Sequence, residues 1–325
     1  PYDTDWQTRL QSATSLSARD YQLLHVSYGH YLGELVNRFL EQHQLHYQVQ
    51  LIAAHGHTTF HVPSSGMTHQ LGDGAAIAAI TGINTVTDLR AMDLALGGQG
   101  APIVPIGEKW LWPDYSCFLN LGGIGNLTVM TPAGPLAFDV CPANKVLNLL
   151  AQLAGMEFDR NGELSRTGKV HPEILQQLNQ FPYYQLAGPK SLSNDFGILE
   201  IFPLLRKSGL TVPDALRTYC QHIVDQLYSS IEKMFRSSEK TPEPLNMLVT
   251  GGGAKHELLI ELLQEKLSNL QVQPIIPEIT IIDFKEAVVM AFIGVLRWRQ
   301  ENTVLASVTG AKRDSIGGAL WMGTH

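Results

Sequence analysis

The sequence predicts an α/β fold with two domains. Short apolar runs typical of strands alternate with longer segments in which apolar residues recur at helical spacing. Two glycine-rich turns each follow an apolar run directly, one between two strands and one between a strand and a helix. The chain has 325 residues, 44% of them hydrophobic and 16% charged, which is enough material for two cores.

Composition narrows the classes of partner. The net charge of −7 leaves no basic excess to neutralise phosphates, so a nucleic acid partner is not expected. The three cysteines are scattered and form no C-x-x-C pair, so neither a disulfide framework nor a zinc ribbon is indicated. No apolar run approaches the length of a membrane span and no signal peptide opens the chain, so we expect a cytoplasmic protein with no membrane partner.

The elements follow from periodicity and capping residues. Ser17 is expected to cap a long helix, and Gly82 to end a short one. In the first third we predict helix, strand, helix, strand and a glycine-rich loop at residues 17–43, 47–54, 74–82, 83–90 and 94–105. Next we predict an antiparallel meander of three strands and a helix, at 116–121, 127–131, 135–140 and 142–155. After a mostly helical region at 160–240, we predict a strand, a glycine turn that opens a helix, a strand and a helix at 245–250, 251–267, 279–283 and 285–300.

The two glycine turns read LNLGGIGN at 119–126 and LVTGGGAKHELL at 248–259. Glycine weakens strands, and it is kept for a tight turn or because a ligand must approach the backbone closely. In the second turn, the N–H groups of Gly252, Gly253 and Ala254 would lie at a helix N-terminus, which suits an anion. A plain hairpin turn remains the alternative for either segment. Together, in this order, they resemble the second phosphate loop and the adenosine loop of the actin-like ATPase superfamily.

Candidate acid–base and substrate-binding residues flank these turns. Asp139, beside the first turn, is suited to act as a general base, although capping the next helix is an equally good interpretation. Asp88 and Arg90 form either a surface ion pair or a site in which Arg90 binds a substrate carboxylate in bidentate fashion. The segment HGHTTFH places His55 and His57 where some metal-dependent hydrolases begin their metal site, but turn residues or polar pocket walls are favoured.

Several segments occur in the order found in one family. They are LIAAHGHTTFH, HQLGDGAAIAAITGINTVTDLRAMDLALGGQGAPIVP, LNLGGIGNLTV, FDVCPAN, VTGGGAKHELL, KEAVVMAFIGVL and SVTGAKRDSIGG. In these segments the chain resembles the anhydro-N-acetylmuramic acid kinases over nearly its whole length. The GGQGAP block and the Asp-x-x-Pro-x-Asn pattern are specific; single glycine turns are not.

The resemblance implies a two-domain actin-like ATPase fold (ribonuclease H-like) of the sugar kinase type, with an interdomain cleft. It implies domains at 1–88 plus 302–325 and at 89–301, and a homodimer. Members of this family use ATP and Mg²⁺ to phosphorylate 1,6-anhydro-N-acetylmuramic acid at O6. They open the anhydro ring with water in the same reaction, which gives N-acetylmuramate 6-phosphate in peptidoglycan recycling.

Residue roles are carried over position by position. Asp139 matches the general base. The implied substrate-binding residues are Arg90, Asp88, Gln99, Glu286 and His55, with Arg90 suited to the lactyl carboxylate. The implied nucleotide-binding residues are Asn120, Gly122, Gly123, Gly125, Asn126, Gly251, Gly252 and Gly253. No residue is assigned to a metal.

The sequence departs from the family pattern at two places. The family reads Asp-Thr-Gly-Pro-Gly-Asn where this chain has residues 139–144, Asp-Val-Cys-Pro-Ala-Asn, a bulkier and less polar turn. The family opens with a Met-Ser-Gly-Thr-Ser-x-Asp-Gly phosphate loop that this sequence lacks. We therefore expect the chain as written to be poorly active and less stable than one that has the loop. A nucleotide- or sugar-binding relative without turnover, and a metal-dependent hydrolase using His55 and His57, remain the alternatives.

Overall fold

The computed structural model describes residues 2–186, 190–193, 195–236 and 245–324. The predicted domain ends at residues 1 and 325, and residues 187–189, 194 and 237–240 of the predicted helical region, lie outside this part. The mixed α/β fold is confirmed. Within the described residues, no helix is long and apolar enough to cross a membrane.

Helices and strands alternate along the chain. The first part contains α1 (Thr4–Gln11), α2 (Ala18–Gln42), β1 (Leu51–Ala53), β2 (His57–Val62), β3 (Met67–Leu71), α3 (Gly74–Thr81), β4 (Asn84–Thr87), α4 (Ala91–Ala95) and α5 (Pro105–Leu111). The middle contains β5 (Cys117–Leu121), β6 (Ile124–Thr131), β7 (Gly134–Pro142), α6 (Asn144–Gln152), α7 (Glu163–Thr167), α8 (Pro172–Asn179), α9 (Phe202–Lys207) and α10 (Val212–Arg236). The last part contains β8 (Leu245–Thr250), α11 (Glu257–Ser268), β9 (Val272–Ile275), α12 (Ile279–Trp298), α13 (Ala306–Thr309) and β10 (Ala319–Trp321).

The chain divides into two compact units. The first unit comprises Pro1–Leu111 and Glu286–His325, and the second is the continuous segment Trp112–Lys285. These limits differ from the predicted domain limits, because the glycine-rich loop and α4 are bonded to the C-terminal segment. The Asp93 carboxylate accepts a hydrogen bond from the Thr309 hydroxyl at 2.7 Å, and Lys312 N–H donates to the Leu96 carbonyl oxygen at 3.1 Å.

The first unit contains a three-stranded sheet and a hairpin among its described residues. In the sheet, β4 lies between β1, to which it is parallel, and β10, to which it is antiparallel. The hairpin pairs β2 with β3. The predicted cap of α2 is confirmed, since the Ser17 hydroxyl accepts a hydrogen bond from Asp20 N–H at 3.2 Å. Gly82 ends α3 in the left-handed conformation, as predicted.

The second unit is built on a five-stranded sheet in the order β7-β6-β5-β8-β9. The predicted meander β5-β6-β7 is antiparallel, and β8 and β9 extend it as parallel strands. Its core packs the sheet against α6, α10 and α11, and Tyr219, Leu259 and Leu263 are fully buried there. The sheet brings both glycine turns and Asp139 into one unit.

One predicted strand is wrong. Residues 279–283 form the first turns of α12, and the last strand of the sheet is β9. The β-branched residues of ITIID favour a strand. However, the side chains at Lys285, Val289, Ile293 and Leu296 are buried at helical spacing, so one apolar helix face continues from this segment.

Candidate functional site

Four polar residues lie at the same register position across four strands of the second unit. Asp139 on β7 pairs with Asn126 on β6, Asn126 pairs with Asn120 on β5, and Asn120 pairs with Thr250 on β8. Directly paired residues project from the same face of a sheet. This polar row therefore connects the predicted base with the ends of the two strands that precede the glycine turns.

An irregularity in strand pairing produces this alignment. Gly125 pairs with Cys141 and Asn126 pairs with Asp139, so Val140 is an extra residue in β7. Such a bulge re-aims the side chains beside it. Without the extra residue, Asn126 would pair with Val140, whose side chain is buried.

Asp139 is held by several hydrogen bonds. Its Oδ2 accepts from Leu192 N–H at 2.8 Å, and its Oδ1 accepts from the Asn126 amide Nδ2. Its backbone N–H donates to the Lys190 carbonyl oxygen at 3.0 Å, and its carbonyl oxygen accepts from the Tyr183 hydroxyl at 2.6 Å. Burial raises the pKa of the Asp139 carboxyl, and the bonds from Leu192 and Asn126 oppose that rise. A fixed, desolvated carboxylate is suited to accept a proton.

The helix-cap interpretation of Asp139 is wrong. Asp139 lies within β7, and the N-cap position of α6 is Ala143, which makes no side-chain cap. The first N–H groups of this helix region instead donate to the first glycine turn. Ala143 N–H bonds the Gly123 carbonyl oxygen at 2.8 Å and Asn144 N–H bonds the Gly122 carbonyl oxygen at 3.0 Å. These bonds dock the turn on the start of α6.

The glycines of the first turn are not required by the protein itself. A Cβ added at Gly122, Gly123 or Gly125 would have its nearest neighbour at 3.5, 3.8 or 3.5 Å, which is ordinary contact. None of the three has a φ in the left-handed region. Neither packing nor backbone conformation demands glycine here, so the need for a tight turn does not explain these glycines. Close approach of a ligand to the backbone is the other reason to keep glycine in a strand connection.

The second turn is different. Gly251 has φ 80°, and a Cβ there would lie 2.7 Å from the Leu121 carbonyl carbon; at Gly253 it would lie 2.7 Å from the Leu121 Cβ. These two glycines are therefore needed for packing against β5. The predicted anion site at a helix start is not formed, because a short 3₁₀ turn, Gly252–Lys255, precedes α11. His256 caps that helix, its Nδ1 accepting from Leu259 N–H at 3.2 Å.

Arg90, in the first unit, is a partly buried cation whose hydrogen-bond partners are neutral. Its Nε donates to His55 Nε2 at 2.8 Å and its Nη1 donates to the Gly100 carbonyl oxygen at 2.7 Å. Burial lowers the Arg90 pKa, and the charge of Glu286 opposes this. Among the described residues, no carboxylate forms an ion pair with Arg90, so the predicted Asp88–Arg90 surface pair is absent. A partly buried guanidinium without a carboxylate partner is a favourable place for an anionic ligand.

His55 is neutral in this arrangement. Its Nδ1 donates to the Gly56 carbonyl oxygen at 3.0 Å, and its Nε2 accepts from Arg90. Burial, and then the charge of Arg90, lower its pKa. Both ring nitrogens are used, which leaves His55 unable to bind a metal in the way the hydrolase hypothesis requires. Within the described ranges, no group of three or more His, Cys, Asp or Glu is placed to hold a metal ion.

The other predicted substrate residues lie around Arg90. Asp88 is exposed, has φ 54° and accepts from the Thr87 hydroxyl at 3.1 Å. A left-handed backbone at a non-glycine residue stores strain, which is often found at functional sites. Gln99 is exposed and its N–H bonds the Thr309 carbonyl oxygen at 2.9 Å. Glu286 is exposed and acts electrostatically on both Arg90 and His55.

Sequence reasoning missed Asp93. Its side chain is 1% exposed; Oδ2 accepts from Gly100 N–H at 2.7 Å and Oδ1 accepts from the Thr309 hydroxyl at 2.7 Å. Asp93 therefore holds the residue whose carbonyl oxygen orients Arg90. The available signal was an isolated acid among apolar residues, four positions before the first glycine of the GGQG segment.

The first unit also contains a cavity of about 410 Å³ beside His55. Side chains of α2 and β1 line it, and most are apolar, including Leu32, Val36 and Ile52. Sugar hydroxyls need polar partners. The surroundings of Arg90 are therefore the better candidate for binding a sugar acid.

The chain is similar to sugar kinases over nearly its whole length. It belongs to the anhydro-N-acetylmuramic acid kinase family, whose model matches residues 6–323. Curated relatives with that name include one from Actinobacillus pleuropneumoniae serotype 7 (strain AP76), 33% identical over 97% of this chain and 85% of the relative. A relative from Hydrogenovibrio crunogenus is 34% identical over 84% of this chain and 74% of the relative. One from Vibrio parahaemolyticus is 32% identical over 95% of this chain and 84% of the relative. The predicted family is confirmed.

Similarity to solved structures is weaker. The activator of 2-hydroxyisocaproyl-CoA dehydratase from Clostridium difficile, with bound ADPNP, aligns with a TM-score of 0.38 and 12% identity, over 66% of this chain and 68% of that one. Component A of (R)-2-hydroxyglutaryl-CoA dehydratase from Acidaminococcus fermentans aligns with a TM-score of 0.35 and 13% identity, over 63% and 66%. Similarity at this level carries no information on substrate.

Proposed function

We propose that this chain phosphorylates 1,6-anhydro-N-acetylmuramic acid at O6 with ATP and opens the anhydro ring with water. The product would be N-acetylmuramate 6-phosphate, formed in the cytoplasm during peptidoglycan recycling. The observation that carries the proposal is Asp139, a desolvated carboxylate fixed by two N–H donors beside a glycine turn that a ligand can approach. We infer the identity of the substrate from membership of the family.

The proposed reaction assigns one proton transfer to the protein. Asp139 takes a proton from water as the water oxygen bonds to the anomeric carbon. The bond between that carbon and O6 breaks, and O6 forms a bond to the γ-phosphorus of ATP while ADP leaves. Positioning and charge stabilisation contribute most of the acceleration in phosphoryl transfer.

The nucleotide would be held by the second unit. Gly122, Gly123 and Gly125 would let phosphates approach the backbone, and Asn120 on β5 pairs with Thr250, the residue that precedes the turn 251–253. Mg²⁺ binds largely through phosphate oxygens and water in such enzymes. Among the described residues, no group of three or more His, Cys, Asp or Glu is placed to hold the ion, so phosphate oxygens and water would be its main ligands.

The sugar acid would be recognised by the first unit. Arg90 would bind the lactyl carboxylate, with His55 and the Gly100 carbonyl oxygen fixing the guanidinium. Asp88, Gln99 and Glu286 would contact the sugar hydroxyls and the acetamido group. A homodimer is expected from the family alone, and the proposed reaction does not depend on it.

The first test is ADP release by this chain with ATP, Mg²⁺ and the anhydro-sugar, beside Asp139→Asn. We expect sugar-dependent ADP release, a product heavier than the phosphorylated anhydro-sugar by one water, and a loss of roughly 10²–10⁴-fold in Asp139→Asn. Tight binding of both ligands without ADP release would support the alternative of a binder without turnover. Ring opening that needs zinc but no ATP would support the hydrolase alternative.

A further inference from the structure

We infer that Asn126 is a positioning residue for Asp139, rather than the nucleotide contact expected from the sequence. This inference rests on the proposed function, because it assigns Asn126 a role in the proton transfer by Asp139. It begins with strand pairing: Asn126 and Asp139 occupy directly paired positions on β6 and β7 only because Val140 is an extra residue. The glycine turn motif gives no indication of this pairing.

The hydrogen bond fixes the orientation of both side chains. A carboxylate only accepts hydrogen bonds, so the Asn126 atom that faces Asp139 Oδ1 must be the amide nitrogen. The other carboxylate oxygen accepts from Leu192 N–H at 2.8 Å. The donors come from β6 and from the segment 190–192, two segments far apart in sequence. With one donor on each oxygen, rotation of the carboxylate is restricted.

The two donors also affect the charge of the base. Burial favours the neutral carboxylic acid, whereas N–H donors favour the ionised carboxylate that can accept a proton. The neighbouring titratable side chains are otherwise engaged. The Tyr183 hydroxyl donates to the Asp139 carbonyl oxygen, and the Lys190 ammonium donates to the Tyr183 carbonyl oxygen at 3.0 Å and lies over the Tyr183 ring. Among the described residues, Asn126 is therefore the side chain that keeps the partly buried carboxylate of Asp139 ionised and oriented.

The test compares Asn126→Ala and Asn126→Ser with Asn120→Ala, which removes the neighbouring amide of the same polar row. We measure kcat and KM for ATP across pH, at saturating sugar. For both Asn126 variants we expect kcat to fall by up to about 100-fold and the acid limb of the kcat profile to move to higher pH, with little change in KM for ATP. For Asn120→Ala we expect the main effect on KM for ATP.

A second measurement does not depend on turnover. In protein labelled with ¹³C at aspartate carboxyls, the Asp139 resonance is assigned by its loss in Asp139→Asn and then titrated in the wild type and in Asn126→Ser. A higher titration midpoint in Asn126→Ser supports the inference, even if sugar-dependent ADP release is absent and the proposed function fails. An unchanged midpoint and acid limb, together with a large rise in KM for ATP, would show that Asn126 is a nucleotide contact and overturn the inference.

Discussion

Arg90 illustrates how burial decides the role of a single residue. An exposed arginine forms weak ion pairs, such as Arg166 with Glu261 at 2.7 Å on the surface of the second unit. Arg90 is instead partly buried, and its hydrogen-bond partners are a neutral imidazole and a carbonyl oxygen. A desolvated positive charge gains much from an anion, which is the physical reason to place the lactyl carboxylate at Arg90.

Replacing Arg90 by lysine should therefore weaken substrate binding although the charge is kept. Lysine lacks the planar fork that binds a carboxylate through two parallel bonds. We expect KM for the anhydro-sugar acid to rise by about 10- to 100-fold, corresponding to one lost charged hydrogen bond of about 1.5–3 kcal/mol. The control is Arg166→Lys, which should leave KM unchanged. If Arg90→Lys raised KM equally for an anhydro-sugar without the lactyl group, carboxylate recognition by Arg90 would be contradicted.

At the scale of elements, the two glycine turns differ although both are rich in glycine. The first joins β5 to β6, and a Cβ at Gly122, Gly123 or Gly125 would meet its neighbours only at ordinary contact distances. The second follows β8 and packs its glycines against Leu121 of β5. Packing of neighbouring elements therefore requires glycine in the second turn but not in the first, where we propose that it gives a ligand access to the backbone.

A matched pair of alanine substitutions separates these two reasons. Gly123→Ala should change the free energy of unfolding by less than about 0.5 kcal/mol, yet raise KM for ATP about tenfold, since the new methyl group meets the ligand. Gly253→Ala should reduce the free energy of unfolding by about 1–3 kcal/mol, because its Cβ would overlap Leu121. Urea unfolding measures the free energy of unfolding of each variant, and ATP titration measures its affinity for ATP. Unchanged ATP affinity in a folded Gly123→Ala chain would contradict a phosphate role for this turn.

At the scale of the whole molecule, buried histidines connect stability to pH. His222 is fully buried between Asn179, whose Oδ1 lies 2.6 Å from its Nδ1, and the Tyr184 hydroxyl, 3.0 Å from its Nε2. Burial lowers the pKa of His222 from the ordinary 6.5 to about 3. Burial also lowers the pKa of His55 and of His256. These side chains are kept neutral in the folded protein and become protonated on unfolding in mild acid.

The chain should therefore lose stability as the pH falls below about 6.5. Between pH 6.5 and about 3, His222 binds a proton in the unfolded state but not in the folded state. His222 therefore lowers the free energy of unfolding by about 1.4 kcal/mol for each pH unit of acidification in this range. His222→Gln should reduce the slope of unfolding free energy against pH by that amount, whatever its effect at neutral pH. His46→Gln, at an exposed position, is the control. An unchanged slope in His222→Gln would mean that His222 is protonated in the folded protein.

The parts of the fold predicted correctly depend on local chemistry. The Ser17 cap, the Gly82 stop and the alternation of the meander involve residues close in sequence, so their hydrogen bonds and periodicity can be read locally. The segment at 279–283 failed because its β-branched residues prefer strands while a long buried helix face overrides that preference. The limits of the two compact units differ from the predicted domain limits, and the bonds of Asp93 and Leu96 to the C-terminal segment join residues more than two hundred positions apart.

By itself, the sequence determined the α/β class, the family and the residue types suited to base, phosphate and carboxylate chemistry, because each depends on composition, spacing or an ordered set of motifs. Only the tertiary structure decided which of those groups meet. Strand register and one extra residue in β7 bring Asn126 to Asp139, and partial burial of Arg90 against neutral acceptors leaves it without a carboxylate partner among the described residues. Both outcomes depend on hydrogen bonds and desolvation between distant segments, which no local pattern encodes.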